Sequence, residues 1–210
     1  KMLPDNSPLN PKKFISLFEN RQRFTHGIKN IAWHYRAARN RAWLGRNLTN
    51  QLPTEPYIVF FLQHLPEAST CSQAPRWVYP DMIIEQLAIN APSHLKVVVK
   101  EHPRSYGRKG RDFFKPLQDL PNVLVCHPAI DNFDLVSHAD AVIAITGTVG
   151  LEGIVLGKRV GVLGRPYYSI YNGVRVLDYP EDIYEALQDQ SWRPEDMVDE
   201  RRHFLAAYIQ

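Results

Sequence analysis

The sequence IAITGTVGLEG, residues 143–153, decides the fold because it joins a buried strand to a helix through a turn of small residues. Residues 141–145 form an apolar run of strand length, and residues 149–156 resume at helical spacing. Between them lies Thr146-Gly147-Thr148, without bulky side chains. A helix start presents backbone N–H groups and the positive end of its dipole, so the junction predicts a site for an anionic group.

The junction also has a purely structural interpretation. It is neither a Walker loop nor the dinucleotide motif G-x-G-x-x-G, so its glycines do not identify a nucleotide site by themselves. Gly147, Gly150 and Gly153 recur every third residue, a spacing that close packing of the helix on a sheet would also require. Both interpretations remain open at this point.

From Pro56 onward, short apolar runs alternate with helical patterns, which is typical of βαβ units. The predicted strands are Tyr57 to Leu62, Leu95 to Lys100, Val123 to Cys126, Ala141 to Ile145, Arg159 to Leu163 and a sixth at Val174 to Leu177. The predicted helices are Pro80 to Ile89, Asp112 to Leu117, Asn132 to Ser137, Thr148 to Leu156, Glu181 to Gln188 and Arg193 to Gln210. Strand runs such as VVVK show no alternation, as expected when helices cover both faces of a sheet. We therefore predict an α/β fold: a Rossmann-like parallel sheet of five or six strands with helices on both faces.

Length and composition narrow the class of protein. The 210 residues, 44% hydrophobic, suffice for one ordinary globular domain with some appended helix. The two cysteines, Cys71 and Cys126, form no metal-ligand cluster or disulfide framework, and the histidines show no metal-ligand spacing, so we expect neither a metal nor a cofactor. We find no apolar run of about 18 residues and no apolar signal core at the start, and we expect a cytoplasmic location.

Charge is unevenly distributed along the chain. Residues 1–50 hold ten Lys and Arg against Asp5 and Glu19, a net charge of +8, whereas the remaining 160 residues carry a net charge of −5. We therefore expect three segments: a basic helical segment and linker at 1–55, a Rossmann-like domain at 56–192 and a C-terminal helix at 193–210.

The basic segment has two interpretations. Its apolar residues recur every three or four positions, at Phe24, Ile28, Ile31, Tyr35, Ala38 and Ala42. Such a helix could lie on an anionic membrane surface through residues 13–48, using its arginines and Trp33 or Trp43, which would make the protein peripheral on the inner face of the membrane. Alternatively it covers one face of the core. We expect no nucleic-acid partner, because the rest of the chain is acidic and carries no motif that reads RNA or DNA.

Polar side chains follow the predicted strands, where an open parallel sheet binds its ligands. After the first, second, third and fourth strands come QHLPEAST, EHPRSYGR, HPAID and TGT. The combination of a histidine, arginines, a helix start and carboxylates suits a nucleotide, whose phosphate charge must be neutralised and whose hydroxyls need acceptors. The predicted binding residues are Gln63, Lys100, His102, Pro103, Arg104, Arg108, Pro128, Asp131, Thr146, Gly147, Thr148 and Glu152.

The segments FFLQHLPEAST, VVVKEHPRSYGR and LPNVLVCHPAIDNFDLVSHADAVIAITGTVGLEGIVLGKRVGVLG resemble the nucleotide-sugar-binding half of bacterial capsule and surface-polysaccharide glycosyltransferases. The resemblance runs from about Pro56 to Tyr168, and it implies one half of a GT-B fold, in which two Rossmann-like domains face each other across a cleft. Better-understood relatives of this family use CMP-Kdo, the activated form of the sugar acid Kdo. The resemblance implies a CMP- or UDP-linked sugar as donor and a glycan or glycolipid as acceptor.

The resemblance also implies roles for single residues. His102, Thr146, Gly147 and Thr148 would contact the donor phosphate, Glu152 would accept hydrogen bonds from ribose hydroxyls, and the turn from Pro128 to Asp131 would lie near the base. Glu67 is the predicted catalytic carboxylate, acting as a base on the acceptor hydroxyl or as a nucleophile.

Several alternatives accompany these assignments. Residues 1–55 are not predicted to form a second sheet, so we expect an N-terminal acceptor domain to be missing, and the chain to be a piece of a longer transferase or to borrow a partner. Other functions that fit are a CDP-polyol phosphotransferase, a UDP-sugar 2-epimerase and a non-catalytic membrane-associated module. Among the candidate residues, Pro103 could simply end a strand, Glu152 could be an exposed acid favoured by the helix dipole, and Glu67 could pair with Arg76. Tyr167 and Tyr168 could line a sugar pocket, although core filling is more common for aromatic residues.

Overall fold

The central element of the fold is a parallel β-sheet. The computed structural model describes residues 31–63 and 74–209. Within these ranges the strands are β1 (Tyr57–Phe61), β2 (Lys96–Lys100), β3 (Val123–Cys126), β4 (Ala141–Ala144), β5 (Arg159–Val162) and β6 (Val174–Val176). Their order in the sheet is β3-β2-β1-β4-β5-β6, and every neighbouring pair is parallel. The chain therefore reverses its direction of progress across the sheet between β1 and β4, which is the switch point where such sheets bind ligands.

Helices connect the strands and flank the sheet. In the described ranges they are α1 at residues 31–47, α2 (Pro80–Asn90), α3 (Arg111–Gln118), α4 (Asn132–Ser137), α5 (Val149–Val155), α6 (Ile183–Gln188) and α7 (Val198–Ile209). The predicted helices at Glu181 and Arg193 instead open with 3₁₀ turns, at Pro180–Asp182 and Pro194–Met197, before the α-helices begin. None of the described helices has the length and apolar composition of a membrane span.

Each face of the sheet has its own apolar core. Ile58 and Phe60 of β1 pack into one core, and Tyr57 and Val59 of the same strand pack into the other. Successive side chains of a strand point to opposite faces, so continuous burial along β1 requires helices on both sides. This arrangement confirms the predicted Rossmann-like α/β fold with a six-stranded sheet.

Helix α1 packs on the sheet through a different face from the one that its apolar spacing indicates. Ile31 and Tyr35 are 72% and 73% exposed, whereas Ala37, Leu44 and Leu48 are buried. Leu44 and Leu48 belong to one of the two cores. Beyond the helix, the Thr49 N–H donates to the Val125 carbonyl at 3.2 Å and the His127 N–H donates to the Thr49 carbonyl at 2.9 Å, beside the edge strand β3. Phe24 and Ile28 lie outside the described residues.

Candidate functional site

A cavity of about 570 Å³ opens at the carboxyl ends of β1, β2 and β4. We call it the edge pocket. Its lining residues are Phe61, Leu62, Gln63, Lys100, Glu101, His102, Pro103, Arg104, Asn132, Ala144, Thr146, Gly147, Thr148, Val149, Glu152, Pro166 and Tyr167. The volume lies in the usual range for small-molecule sites.

The sheet register explains why distant segments meet in the edge pocket. Strand β1 pairs with β2 on one side and with β4 on the other, so the loops that follow the three strands leave the same edge side by side. Gln63 follows β1, His102 follows β2 and Thr146 follows β4. The Gln63 side-chain N–H donates to the Thr146 hydroxyl at 3.1 Å, which joins the neighbouring loops after β1 and β4 at the pocket floor.

A hydrogen bond from a buried tyrosine stabilises the turn at residues 146–148. The Tyr168 hydroxyl donates to the Gly147 carbonyl at 2.5 Å, and its ring is fully buried. The two glycines of the junction have different surroundings. A Cβ atom on Gly150 would meet the Tyr168 Cε2 atom at 2.7 Å, whereas one on Gly147 would meet Gln63 Nε2 at an ordinary 3.5 Å. Packing therefore requires glycine at position 150 but not at position 147.

His102 is fixed by the turn that it caps. Its Nδ1 atom accepts a hydrogen bond from the Arg104 backbone N–H at 3.1 Å, at the start of the 3₁₀ turn Pro103–Ser105. A ring nitrogen that accepts carries no proton, so in this form the proton lies on Nε2, and Nε2–H is a donor suited to a phosphate oxygen. Arg104 is exposed and lines the same pocket, so it adds a permanent positive charge.

A charged network forms another wall of the edge pocket. The Lys100 ammonium is 2% exposed and donates to the Ile130 carbonyl and to the Asn132 side-chain oxygen. Asn132 also lies close enough to the Glu152 carboxylate to lower the pKa of that group. Burial lowers the pKa of Lys100 and raises the pKa of Glu152, and the Lys100 charge partly offsets the rise at Glu152. Lys100 thus orients Asn132 and favours the charged form of Glu152, which can accept hydrogen bonds from ligand hydroxyls.

Most, but not all, of the predicted site residues line the edge pocket. Nine do so: Gln63, Lys100, His102, Pro103, Arg104, Thr146, Gly147, Thr148 and Glu152. Glu67, the predicted catalytic carboxylate, lies outside the described residues.

Three of the predicted binding residues do not line the edge pocket. Asp131 caps α4, where its Oδ1 atom accepts from the Phe133 N–H at 2.7 Å and from the Asp134 N–H at 3.2 Å. Pro128 follows β3, which lies one strand farther from the switch point. Arg108 follows Gly107, whose positive φ of 88° turns the chain toward α1, and it lines a different cavity.

The structure adds pocket residues that were not among the predicted binding residues. Glu101, Asn132 and Tyr167 are the polar ones. For Tyr167 and Tyr168 the sequence left open whether they line a sugar pocket or fill the core. Tyr167 lines the pocket and Tyr168 is buried, and nothing in the sequence distinguishes the two. The Tyr167 ring stacks on Tyr208 of α7 with 5.3 Å between ring centroids, and the two hydroxyls lie 3.0 Å apart. The C-terminal helix therefore supports one wall of the edge pocket.

Glu101 is the most deeply buried acid of the edge pocket. It is 0% exposed, and its Oε1 atom accepts from the His102 N–H at 3.2 Å and lies 3.7 Å from the Lys109 ammonium. No described residue donates a hydrogen bond to its Oε2 atom. Burial raises the pKa of Glu101, and Lys109 opposes the rise. In the described part of the chain, no group of three His, Cys, Asp or Glu side chains is placed to hold a metal ion.

The strand order and the pocket at the switch point define a Rossmann-like α/β domain with a ligand site at its carboxyl edge. Residues 17–205 match the family model described as capsule polysaccharide biosynthesis protein. The chain therefore belongs to the capsule polysaccharide biosynthesis family, and the match confirms the resemblance that the sequence motifs indicate.

The chain is also similar to longer curated proteins. It is 30% identical over 154 residues to Protein FixF of Sinorhizobium fredii (strain NBRC 101917 / NGR234), covering 71% of this chain and 36% of FixF. It is 27% identical over 125 residues to the capsule polysaccharide modification protein LipA of Neisseria meningitidis serogroup A, covering 60% of this chain and 17% of LipA. The chain thus spans about a third or less of the length of these relatives.

Solved structures with related folds include a transferase and an epimerase. A beta Kdo 2,7 transferase, KpsC of Thermosulfurimonas dismutans, is 24% identical with a TM-score of 0.49, covering 70% of this chain and 46% of KpsC. A UDP-GlcNAc 2-epimerase from Neisseria meningitidis, bound to UDP-GlcNAc, is 20% identical with a TM-score of 0.45, covering 71% of this chain and 40% of the epimerase.

Proposed function

We propose that the edge pocket binds the nucleotide part of an activated sugar, and that the chain is the donor-binding part of a glycosyltransferase of capsule polysaccharide synthesis. The observation that carries the proposal is the convergence of His102, the turn at 146–148 and Glu152 in one cavity at the switch point. Membership of the capsule polysaccharide biosynthesis family supports it independently.

The pocket residues match the chemical parts of such a donor. The Arg104 guanidinium can offset the charge of a phosphate that grows as the sugar departs, and His102 Nε2–H can donate a hydrogen bond to it. The Thr146 and Thr148 side chains line the same cavity and add hydroxyl groups. Glu152, which Lys100 keeps toward its charged form through electrostatic attraction, can accept hydrogen bonds from the ribose hydroxyls. In this scheme the protein stabilises the leaving group with its own side chains.

We propose CMP-Kdo as the first donor to test, with a glycan or glycolipid as the acceptor. A nucleoside monophosphate leaving group fits a pocket with one histidine and one arginine at its phosphate end. Glu67 is proposed as the base that activates the acceptor hydroxyl, or as a nucleophile, and it lies outside the described residues. The acceptor would then be held by an N-terminal domain outside this chain or by a partner.

A nucleotide titration tests the donor proposal. The chain is titrated calorimetrically with CMP, CMP-Kdo, CDP-glycerol and UDP-GlcNAc, and we expect binding of CMP and CMP-Kdo. Replacing His102 with Ala should weaken that binding by about 1.5 to 3 kcal/mol, the cost of losing a hydrogen bond to a charged group. His94→Ala is the matched control, because His94 is exposed at the opposite end of β2.

The titration has outcomes that contradict the proposal. A preference for CDP-glycerol or UDP-GlcNAc would replace the Kdo-transferase function with a polyol phosphotransferase or a 2-epimerase. Absence of binding by every nucleotide, in a chain whose circular dichroism shows the α/β fold, would end it.

We also propose that residues 13–48 bring the protein to an anionic membrane surface on the cytoplasmic side. Ile31, Trp33 and Tyr35 are exposed on α1, beside its arginines. Flotation with anionic vesicles tests this, with Trp33→Ala and Tyr35→Ala expected to reduce binding. Equal flotation of the chain and both variants would remove α1 from the contact.

A further inference from the structure

A second cavity, of about 500 Å³, lies between α1 and the loop that leads into α3. We call it the basic cleft. Four arginines line it, Arg36 and Arg39 from α1 and Arg108 and Arg111 from the loop and the start of α3, together with Asn40 and Trp43. It is separate from the edge pocket, with which it shares no lining residue.

The charges of the basic cleft are not balanced by acidic side chains in the described part of the chain. Asp112 is the one acidic residue along its described lining, and no carboxylate oxygen of the described ranges lies within 4.0 Å of any of the four guanidinium groups. The start of α3 adds the positive end of a helix dipole at the same place. Four cations held around one cavity repel each other, and an anion bound between them would relieve that repulsion.

Lys109, next to the cleft arginines in sequence, differs from them because it has a carboxylate partner. Lys109 lies between Arg108 and the cleft residue Gly110, yet its ammonium turns inward to the buried Glu101 carboxylate at 3.7 Å. The Glu101 carboxylate thus pairs with one cation of this loop, whereas Arg108 and Arg111 on either side of it line the cleft and have no carboxylate partner among the described residues.

The walls of the basic cleft are held in fixed positions. The Asn40 side-chain N–H donates to the Gly107 carbonyl at 3.0 Å and joins α1 to the loop. A Cβ atom on Gly107, which has a φ of 88°, would lie 2.8 Å from the Ala37 carbonyl oxygen, and one on Gly110 would lie 2.8 Å from Asn40 Cγ. Only glycine allows the loop to approach the helix this closely, so the cleft exists before any ligand binds.

We propose that the basic cleft binds a phosphate monoester carried by a sugar or a lipid. A phosphate monoester has close to two negative charges at neutral pH, which matches the excess of positive charge better than a single carboxylate does. Guanidinium groups bind phosphate in a bidentate manner, and the half-buried Trp43 ring offers an apolar wall to the organic part of the ligand. This site is additional to the proposed donor site and does not depend on it.

The test compares two double variants of the full 210-residue chain. Arg39→Gln/Arg108→Gln removes one guanidinium from each wall of the basic cleft, and Arg193→Gln/Arg202→Gln removes two exposed guanidiniums far along the chain, with the same change in net charge. Each is titrated with glycerol 3-phosphate, and each is sedimented with phosphatidylcholine vesicles that contain phosphatidic acid, phosphatidylserine or neither. A third variant, Arg36→Gln/Arg111→Gln, repeats the measurement if the first has a lower unfolding temperature.

We expect the cleft variant to lose at least about tenfold in affinity for one of the two probes, while the control variant keeps the affinity of the unchanged chain. Loss of glycerol 3-phosphate binding would identify a free phosphorylated sugar or polyol as the ligand class. Loss confined to phosphatidic acid vesicles, with unchanged binding to phosphatidylserine vesicles of equal negative charge, would identify a lipid phosphate, whereas equal loss with both kinds of vesicle would assign the effect to membrane binding by α1 and overturn the proposal. Equal affinities of the cleft and control variants for both probes, or no binding of either probe by the unchanged chain, would overturn the proposal.

Discussion

Gln63 and Thr146 are joined by a buried hydrogen bond, 3.1 Å from Nε2 to Oγ1, although 83 positions separate them in the sequence. The two residues are 8% and 9% exposed and follow the neighbouring strands β1 and β4. The bond therefore joins the loops after β1 and β4 at the switch point of the sheet, on the floor of the edge pocket. It links the stability of the sheet edge to the geometry of the 146–148 turn.

Replacing Gln63 with Leu should destabilise the protein by about 1 to 3 kcal/mol, because the buried Thr146 hydroxyl loses a donor. Urea unfolding measures the free energy of unfolding of each variant. In the double variant Gln63→Leu/Thr146→Val the cost should be smaller than the sum of the two single costs, since the pair is then removed together. Gln86→Leu, at an exposed position of α2, is the control and should change stability by less than about 0.5 kcal/mol. Additive single costs would show that the bond contributes nothing.

Two glycine variants separate packing from ligand approach in the 146–153 junction. Gly150→Ala should cost about 1 to 3 kcal/mol, because its Cβ would overlap the fully buried Tyr168 ring. Gly147→Ala should leave stability nearly unchanged, since its Cβ has ordinary space, but it should weaken nucleotide binding if a phosphate lies against this turn. The unfolding free energy and calorimetric affinity of each variant decide this. If Gly147→Ala binds as tightly as the unchanged chain, the turn does not contact the ligand.

The strands and the position of the pocket could be predicted because both follow from local sequence. Strands buried on both faces need continuous apolar residues, and the runs at β2 and β4 have them. The residues directly after such strands must lie at one edge of a parallel sheet, which is how His102 and Thr146 were found. The fold and most of the edge pocket therefore required no knowledge of long-range contacts.

The orientation of α1 could not be predicted in the same way. Its apolar spacing selects Ile31 and Tyr35, yet the buried face contains Ala37 and Leu44. What selects that face is the close approach of the 107–110 loop, about 70 positions away, and helical periodicity does not report such a contact. The choice of Tyr168 for the core and Tyr167 for the pocket depends likewise on how the 3₁₀ turn Tyr167–Ile170 is rotated against the sheet.

Replacing Lys100 with Met should raise the pKa of Glu152 further, because the cation that favours its carboxylate form is lost. If the Glu152 carboxylate accepts hydrogen bonds from the ribose, the variant should reach its full nucleotide affinity only at a higher pH than the unchanged chain does. Calorimetric titrations with CMP across a pH series measure the shift. Lys96→Met is the control, because Lys96 lies at the amino-terminal end of the same strand, far from the edge pocket. Its ammonium donates to the Pro121 carbonyl at 3.3 Å. An unshifted pH profile would mean that Lys100 does not act on Glu152.

Glu101 should make the protein less stable as the pH rises. Burial raises its pKa in the folded state, so the folded protein keeps this proton to a higher pH than the unfolded chain does. The stability that the proton contributes is complete below the unfolded pKa, about 4.3, and is lost as the pH rises through the folded pKa. Glu101→Gln should therefore flatten the dependence of the unfolding free energy on pH above about 4.3.

Urea unfolding at a series of pH values measures this dependence. The pKa of Glu152 is also raised, but Glu152 is the same in both proteins, so the difference between them reports Glu101. Glu85→Gln, at an exposed position of α2, is the matched control and should leave the slope unchanged. The sign is the decisive feature, since a carboxylate stabilised mainly by its Lys109 ion pair would instead lose stability as the pH falls. A steeper fall of the unfolding free energy at low pH in the unchanged chain than in Glu101→Gln would therefore show that the ion pair outweighs burial at this site.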